Sequence, residues 1–307
     1  MASLTVSEAD EKRVKALGFL RNKGTDNFSA RIITRNGKIT TSQNMCISEA
    51  ADLFGNGIIT FTTRLTVEVQ GIPYEKIEDF REYIAKEGLV TGGTGAKIRP
   101  VVSCKGTTCQ YGLIDTFDLS EEIHERFFEG YSHVKLPHKF KIAVGGCPNN
   151  CVKPDLNDLG IVGQRIPNFN KDKCRGCKKC SIERICPIGA AKLVDGVLVI
   201  DKDMCNHCGR CIGKCPFHAI EDGTVGYKIY LGGRWGKQIA LGQPLNKIFT
   251  DKKDLFDLIE KTILLYKEQG KAGERLSQTI ERIGFDNIQE QLLSKDLLKR
   301  KEEIKMM

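Results

Sequence analysis

Cysteine spacing carries most of the chemistry in this chain. Cys104-x4-Cys109 and Cys147-x3-Cys151 each lie in turn-prone sequence, the second inside Gly145-Gly146-Cys147-Pro148-Asn149-Asn150-Cys151. Four thiolates gathered from two such loops suit a tetrahedral zinc or one cubane iron–sulfur cluster. Further on come Cys174-x2-Cys177-x2-Cys180-x5-Cys186-Pro187 and Cys205-x2-Cys208-x2-Cys211-x3-Cys215-Pro216. Twelve of the thirteen cysteines therefore fall into three sets of four, which in a reducing compartment points to metal and not to disulfides. The one left over, Cys46, is expected to be a small buried hydrophobe.

The run from Cys205 to Pro216 has the spacing of a bacterial two-cluster ferredoxin, in which the fourth cysteine ligates the other cluster. With the preceding run it forms an internal repeat of about 30 residues. The crossing rule assigns Cys174, Cys177, Cys180 and Cys215 to one cluster and Cys186, Cys205, Cys208 and Cys211 to the other. Two interleaved sets of four argue against zinc there. Ser181–Ile185 puts five residues where the pattern has three, which predicts a bulged loop beside one cluster.

Positive side chains form the second chemical set. Lys139 and Lys141 flank Phe140, so in a strand they share a face, and Arg31 and Arg35 share one likewise. Alternation over Ile58–Gln70 predicts one strand with Arg64 on its polar face. The glycine-rich Leu89–Lys97 leads through Arg99 to Cys104; it matches neither a Walker loop nor Gly-x-Gly-x-x-Gly. Gathered positive charge binds small oxyanions and can supply protons, and His138 beside Lys139 is a candidate proton relay.

Helices are expected at 7–17, with Ser7 as N-cap, within 39–54 after Thr40, at 73–87 from Pro73 to Gly88, and near Ser120–Gly130. Strands are expected at Ser29–Arg35, Lys139–Val144 and Gly226–Leu231. Helices at 252–269, 272–283 and 286–299 read as packing and dimer surface only. The mixture is α+β.

The chain has 307 residues, 40% hydrophobic and 28% charged, ample for about two domains with a core. It contains no apolar run long enough to span a membrane, and no signal-peptide core follows Met1, so a cytoplasmic location is expected. The formal charge of +8 treats the cysteines as neutral, whereas ligated clusters are anionic. Basic residues are also dispersed apart from Lys173–Lys179 and the tail Lys295–Lys305, so nucleic acid is set aside.

Several stretches in order resemble the sirohaem sulfite and nitrite reductase family. They are Thr62-Thr63-Arg64-x-Thr66 followed by Gly71-Ile72, then Gly93-Thr94-Gly95-Ala96-Lys97-Ile98-Arg99 running into Cys104. Leu136-Pro137-His138-Lys139-Phe140-Lys141, the Gly-Gly-Cys-Pro-Asn-Asn-Cys loop and Tyr230-Leu231-Gly232-Gly233-Arg234 complete the set. The chain departs from the family in having four residues, where five are usual, between Cys104 and Cys109. Within the family it is most similar to the anaerobic sulfite reductases, in the single-repeat polypeptide that carries a two-cluster ferredoxin module inserted into its sirohaem domain.

The resemblance implies a sirohaem-binding repeat divided as 1–75 (ferredoxin-like half domain), 76–162 with 223–307 (sirohaem and [4Fe-4S] domain) and 163–222 (inserted ferredoxin module). It implies sirohaem and three [4Fe-4S] clusters as cofactors, the third held by Cys104, Cys109, Cys147 and Cys151. Cys151 would also be the axial thiolate. Arg31, Arg64, Arg99, Lys139 and Lys141 would act on the anion. Arg64, Lys97, Gly232, Gly233 and Arg234 would contact the macrocycle. The expected reaction is six-electron reduction of sulfite to sulfide, electrons passing through the ferredoxin clusters to the haem-coupled one. Nitrite reduction to ammonia, a non-catalytic electron-transfer subunit and a polyferredoxin with one structural zinc are the alternatives. Only one sirohaem unit is present and no flavin or nicotinamide fold is visible. A homodimer or hetero-oligomer is therefore implied, with an electron donor or partner subunits carrying flavin and iron–sulfur centres.

Overall fold

A computed structural model describes residues 6–294 and 296–307, so the readings that rest on Met1–Thr5 and on Lys295 lie outside the described residues. The chain opens with α1 (Glu8–Ala16), capped as expected by Ser7, whose hydroxyl accepts the Asp10 N–H. Then follow β1 (Phe19–Arg21), β2 (Asn27–Ile32), α2 (Thr41–Phe54), β3 (Ile59–Phe61), β4 (Val67–Pro73) and α3 (Ile77–Ala85). Thr40 and Gln43 form a reciprocal capping box on α2. The antiparallel sheet runs β1-β2-β4-β3, and Phe19, Phe28, Ile47, Val69 and Phe80 fill its core, with Cys46 buried in the same cluster.

The expected single strand over Ile58–Gln70 is a hairpin. The Thr62 and Thr66 hydroxyls meet at 2.7 Å, the Thr62 N–H donates to the Thr66 carbonyl, and Leu65 takes φ 61°. Alternation continued through the turn and hid it, because threonine suits both a strand and a hydroxyl-tied turn. Arg64 is therefore a turn residue. Pro73 likewise closes β4, and α3 starts only at Ile77 after a 3₁₀ turn.

The second unit adds β5 (Val102–Ser103), α4 (Thr116–Ile123), which widens into a π-helical turn at His124–Glu129, β6 (Ile142–Gly145) and β7 (Leu159–Pro167). A small module follows, with α5 (Ser181–Ile185), β8 (Ala191–Val194) and β9 (Val197–Ile200). The chain returns through β10 (Gly223–Leu231), β11 (Gln243–Phe249), α6 (Lys252–Gln269), α7 (Leu276–Ile283), α8 (Phe285–Leu293), α9 (Asp296–Lys299) and α10 (Lys301–Met306). The sheet order is β11-β10-β7-β6-β5, with β5, β6 and β7 parallel and the other pairs antiparallel.

β10 pairs with β7 along its whole length, from Gly223 opposite Pro167 to Leu231 opposite Leu159. Residues 168–222 are thus carried on the tip of a hairpin. Residues 163–167, placed with the cysteine-rich segment by sequence, belong to β7. The five residues expected to bulge form α5, a single helical turn anchored by fully buried Ile182. The C-terminal helices pack the main core through Leu255, Ile259, Ile263 and Tyr266 against Phe140, Ile142, Ile161 and Ile229.

Candidate anion and metal-cluster sites

Arg31, Arg64, Arg99, Lys139 and Lys141 line one cavity of about 250 Å3, together with Thr62, Thr63, Thr66, Gly93 and Pro100. β2 brings Arg31, the β3–β4 turn brings Arg64, and the segments entering β5 and β6 bring Arg99 and the two lysines. Their roles differ. Arg64 is spent on backbone: it donates to the Pro100 carbonyl at 2.7 Å, the Ile142 carbonyl at 3.1 Å and Asn157 Oδ1 at 3.0 Å. Burial pushes its guanidinium down to about 10. It ties the first sheet to the second. Arg31 is paired with Glu68, Nη2 to Oε1 at 2.6 Å.

Arg99, Lys139 and Lys141 are the available charges. Arg99 donates to the Gly93 carbonyl and leaves Nε buried without a partner, and burial followed by repulsion from Arg31 brings it to about 10. Burial also lowers Lys139, aided by Arg275 and Arg99. Lys141 is lowered to about 8, by burial first and then by Arg64 and Arg275. Among the described residues neither lysine has a carboxylate within ion-pair distance. A pocket of like charges in low dielectric is poised for an anion.

Arg35, expected beside Arg31, turns away and pairs with Glu121, Glu125 and Glu129, because β2 ends at Ile32. Lys97 is exposed and contributes only its carbonyl, which accepts the Phe140 N–H at 3.0 Å. His138 Nδ1 accepts the Lys139 N–H at 2.7 Å. Gly232 and Gly233 sit in tight backbone packing. A Cβ on Gly233 would lie 2.3 Å from the Asp155 carbonyl oxygen and 2.6 Å from that of Asn157. We expect Gly233→Ala to cost about 1–3 kcal/mol in denaturant titration, through displacement of the loop that holds Arg64. Arg234 donates to Gln238, and its Nε is buried without a partner.

Sequence reasoning missed Asp158 and Arg275. Asp158 is fully buried; both its oxygens accept from Arg275 Nη2, at 2.9 and 2.8 Å, and Oδ2 also takes the Lys141 N–H at 2.9 Å. Arg275 caps α7, so the C-terminal helices are more than packing surface: they anchor the lysine segment. No local signal links residues 117 positions apart.

The cysteine loops sit at the other ends of the same strands. Cys104 follows β5 and Cys147 follows β6, the crevice where parallel strands bind ligands. Asn150 and Lys153 take left-handed φ of 56° and 49°, and Asn150 donates to Asp155, which sets the Cys147–Cys151 turn. Cys104 Sγ accepts the Gly146 N–H at 3.1 Å. Burial raises Cys147, and Cys104, Cys151 and Cys109 reinforce it, so the four thiols are neighbours. Cys151 is exposed.

In the hairpin module Cys186, Cys205, Cys208 and Cys211 ring a small cavity closed by Pro167, Ala190, Ala191 and Ile200. Cys211 is pushed up to about 11, chiefly by burial and then by those three other thiols. Burial works against the Cys186 thiolate, but the N–H groups of Ile188, Ala191, Ala190 and Gly189 outweigh it. Ser181 Oγ donates to the Lys214 carbonyl, drawing Cys180 and Cys215 toward each other. Thiols crowded in this way ionise together only around a cation, so the donor sets fit cubane clusters. Among the described residues no such group is placed to hold a single metal ion. For sirohaem, a polycarboxylate macrocycle, the chain offers the exposed Cys151 thiol and the unpaired cations Arg99, Lys139 and Lys141.

A two-layer α+β unit with cysteine loops at its strand ends and a basic cavity at their starts defines a redox domain. The model of the nitrite and sulphite reductase 4Fe-4S domain matches residues 94–301, and that of the nitrite/sulfite reductase ferredoxin-like half domain matches residues 21–87. The chain belongs to the nitrite and sulfite reductase family, which binds sirohaem and [4Fe-4S] clusters. It is 32% identical over 248 residues to a coenzyme F420-dependent sulfite reductase of Methanocaldococcus jannaschii, covering 80% of this chain and 38% of that protein. It is 31% identical to a subunit of the anaerobic sulfite reductase of Salmonella typhimurium, over 43% of this chain and 42% of that one. It thus spans less than half the length of both relatives. A crystal structure of dissimilatory sulfite reductase I superposes with TM-score 0.70 at 21% identity, over 88% of this chain and 69% of that one, a likeness of fold. Among the described residues no helix is long and apolar enough to cross a membrane.

Proposed function

We propose that this chain reduces sulfite to sulfide by six electrons, using sirohaem and three [4Fe-4S] clusters. The observation that carries this reading is the basic cavity, with Arg99, Lys139 and Lys141 left unpaired by carboxylates, in a family unit that also gathers four thiols at its strand ends. Cys104, Cys109, Cys147 and Cys151 would hold one cluster, and Cys151 would also serve as a ligand to the sirohaem. Bound sirohaem supplies the iron at which the anion loses its oxygens. Arg99 and the lysines fix the anion and stabilise its charge, and Lys141, whose proton is held loosely at about 8, donates it toward departing oxygen. The cysteines of the hairpin module would hold the ferredoxin clusters that supply electrons.

The cavity and the thiols lie at opposite ends of β6, whose four residues span about 13 Å. One chain therefore does not place its own lysines beside its own Cys151. In the proposed assembly a second copy, or a partner of the same family, sets its cavity against this chain's exposed Cys151. The partner subunits that supply reductant belong to the same proposal.

Turnover of sulfite and nitrite with a viologen donor tests the activity; failure on both anions by fully loaded protein overturns it. Nitrite keeps one charge across neutral and alkaline pH, so it isolates the protein's own titration. The Lys141 ammonium attracts anions and is lost as pH rises through about 8. Apparent nitrite affinity is expected to fall across that window, and Lys141→Arg to flatten the fall, in initial-rate profiles.

A further inference from the structure

The basic stretch between Lys171 and Arg184 is the densest run of positive charge outside the anion cavity. Residues 171–184 carry six basic and two acidic side chains, net +4. The equivalent stretch on the other cluster loop, 202–215, carries three basic and one acidic side chain, net +2. Both loops present thiolates to a cluster of the same kind, so offsetting the cluster's own charge does not explain the difference. Arg175, Lys178 and Lys179 are exposed and, among the described residues, none has a carboxylate within ion-pair distance. Lys173 pairs with Glu221, which also meets His218, drawing the Cys215 loop beside the patch. On that loop Phe217, two residues after Cys215, is an apolar side chain 45% exposed. An apolar centre with a charged rim is how transient protein contacts are built.

The two ferredoxin sites are not equivalent in position. Cys208 bridges to Arg165 of β7, the Arg165 N–H donates to the His207 carbonyl at 2.8 Å, and a Cβ on Gly209 would lie 2.9 Å from Arg165 Cβ. Two residues back on the same strand, a Cβ on Gly163 would lie 2.6 Å from the carbonyl oxygen of Gly146, the neighbour of Cys147. The Cys186–Cys205–Cys208–Cys211 site thus abuts the sheet about two strand residues, some 7 Å, from the Cys147 loop. Lys173, Arg175, Lys178 and Lys179 alternate with Cys174, Cys177 and Cys180, so the exposed cations lie on the very loop that carries the other site's cysteines.

The geometry points to this basic loop, with Phe217, as the docking face for an acidic one-electron carrier protein of the ferredoxin class. This rests on the cluster assignment proposed above. In each encounter the reduced carrier gives up one electron and the cluster of Cys174, Cys177, Cys180 and Cys215 gains it. A cluster held by Cys186, Cys205, Cys208 and Cys211 beside β7 would take that electron onward, toward the Cys147 loop. Charge complementarity selects the carrier, and Phe217 provides the contact under which the electron crosses.

The test uses the full chain with its clusters loaded, an acidic two-cluster ferredoxin as donor, and stopped-flow reduction of the bound clusters as readout. In wild type the second-order rate is expected to fall at least tenfold between about 50 and about 500 mM salt. R175E/K178E/K179E is expected to lower the low-salt rate at least tenfold, with iron content and reduction by dithionite unchanged. K12E/K15E, on the remote α1, is expected to leave both rates unchanged. Salt-independent rates, or equal loss in both charge-reversal variants, overturn the docking face while leaving the clusters standing. A short DNA duplex that competes with the ferredoxin at about 150 mM salt reassigns the patch to nucleic acid. A wild-type protein that takes up no ferredoxin-type clusters, read by iron assay and electron paramagnetic resonance, overturns the cluster reading itself.

Discussion

Arg275→Met is expected to destabilise the protein by about 3–5 kcal/mol, because it leaves Asp158 as a buried carboxylate without its cation. The side chain of Asp158 is fully buried and that of Arg275 only 11% exposed, so solvent cannot take over the lost pairing. The damage should spread to the site, since Asp158 also accepts the Lys141 N–H and so sets the approach to β6. Asp158→Asn combined with Arg275→Met removes the charge as well as its partner, and should recover at least half of the loss. Denaturant midpoints of the two single variants and the double variant decide the matter. A double variant as unstable as Arg275→Met alone would mean that the guanidinium acts by packing and not by charge.

The legible parts of this molecule are those written locally. Ferredoxin spacing encodes its own small fold, so the gathering of Cys186 with Cys205, Cys208 and Cys211 around one cavity could be anticipated from a few consecutive residues. The five-residue spacing before Cys186 was legible as a departure but not as α5, because a single turn of helix depends on burying Ile182. Arg31, Arg64, Arg99, Lys139 and Lys141 come to one cavity, yet only tertiary contacts separate Arg64 and Arg31, already committed to protein partners, from the three available cations. Lys97 and Arg35 fall outside the cavity for the same reason: motif order fixes neither strand ends nor side-chain direction. Asp158 and Arg275 were silent because each is an ordinary residue until a helix from the end of the chain is laid on β7. The family explains why the motifs occur in this order; the hydrogen bonds show what each residue holds.

On the proposed assignment, Lys141→Met and Cys151→Ser are each expected to abolish sulfite turnover, by a factor of about 10²–10³ or more, since each removes a charge or ligand from the proposed reacting centre. Their combination separates a shared site from a self-contained one. In a symmetric dimer whose sites each take lysines from one copy and Cys151 from the other, a mixed dimer keeps one intact site and one doubly broken one. Co-expression of two tagged inactive variants, followed by purification of the mixed dimer, should restore about half the wild-type turnover per dimer, and random mixing about one quarter. Recovery cannot occur if each chain completes its own site. A mixed dimer with no activity would therefore sink the shared arrangement, while a loaded wild-type enzyme that turns over would keep the reaction itself. The placement of the lysines and Cys151 at opposite ends of β6, with Cys151 exposed, favours recovery.

A chain that carries sirohaem and three clusters and acts on sulfite must show all of them at once. The most direct measurement is an anaerobic visible spectrum of the purified holoprotein with iron quantitation, repeated after sulfite addition. About thirteen irons per chain are expected, three cubanes and one haem iron. A sirohaem Soret and red band should shift when sulfite binds. About eight irons with a featureless iron–sulfur shoulder and no tetrapyrrole would contradict the proposed activity, leaving only the two ferredoxin clusters on the hairpin tip.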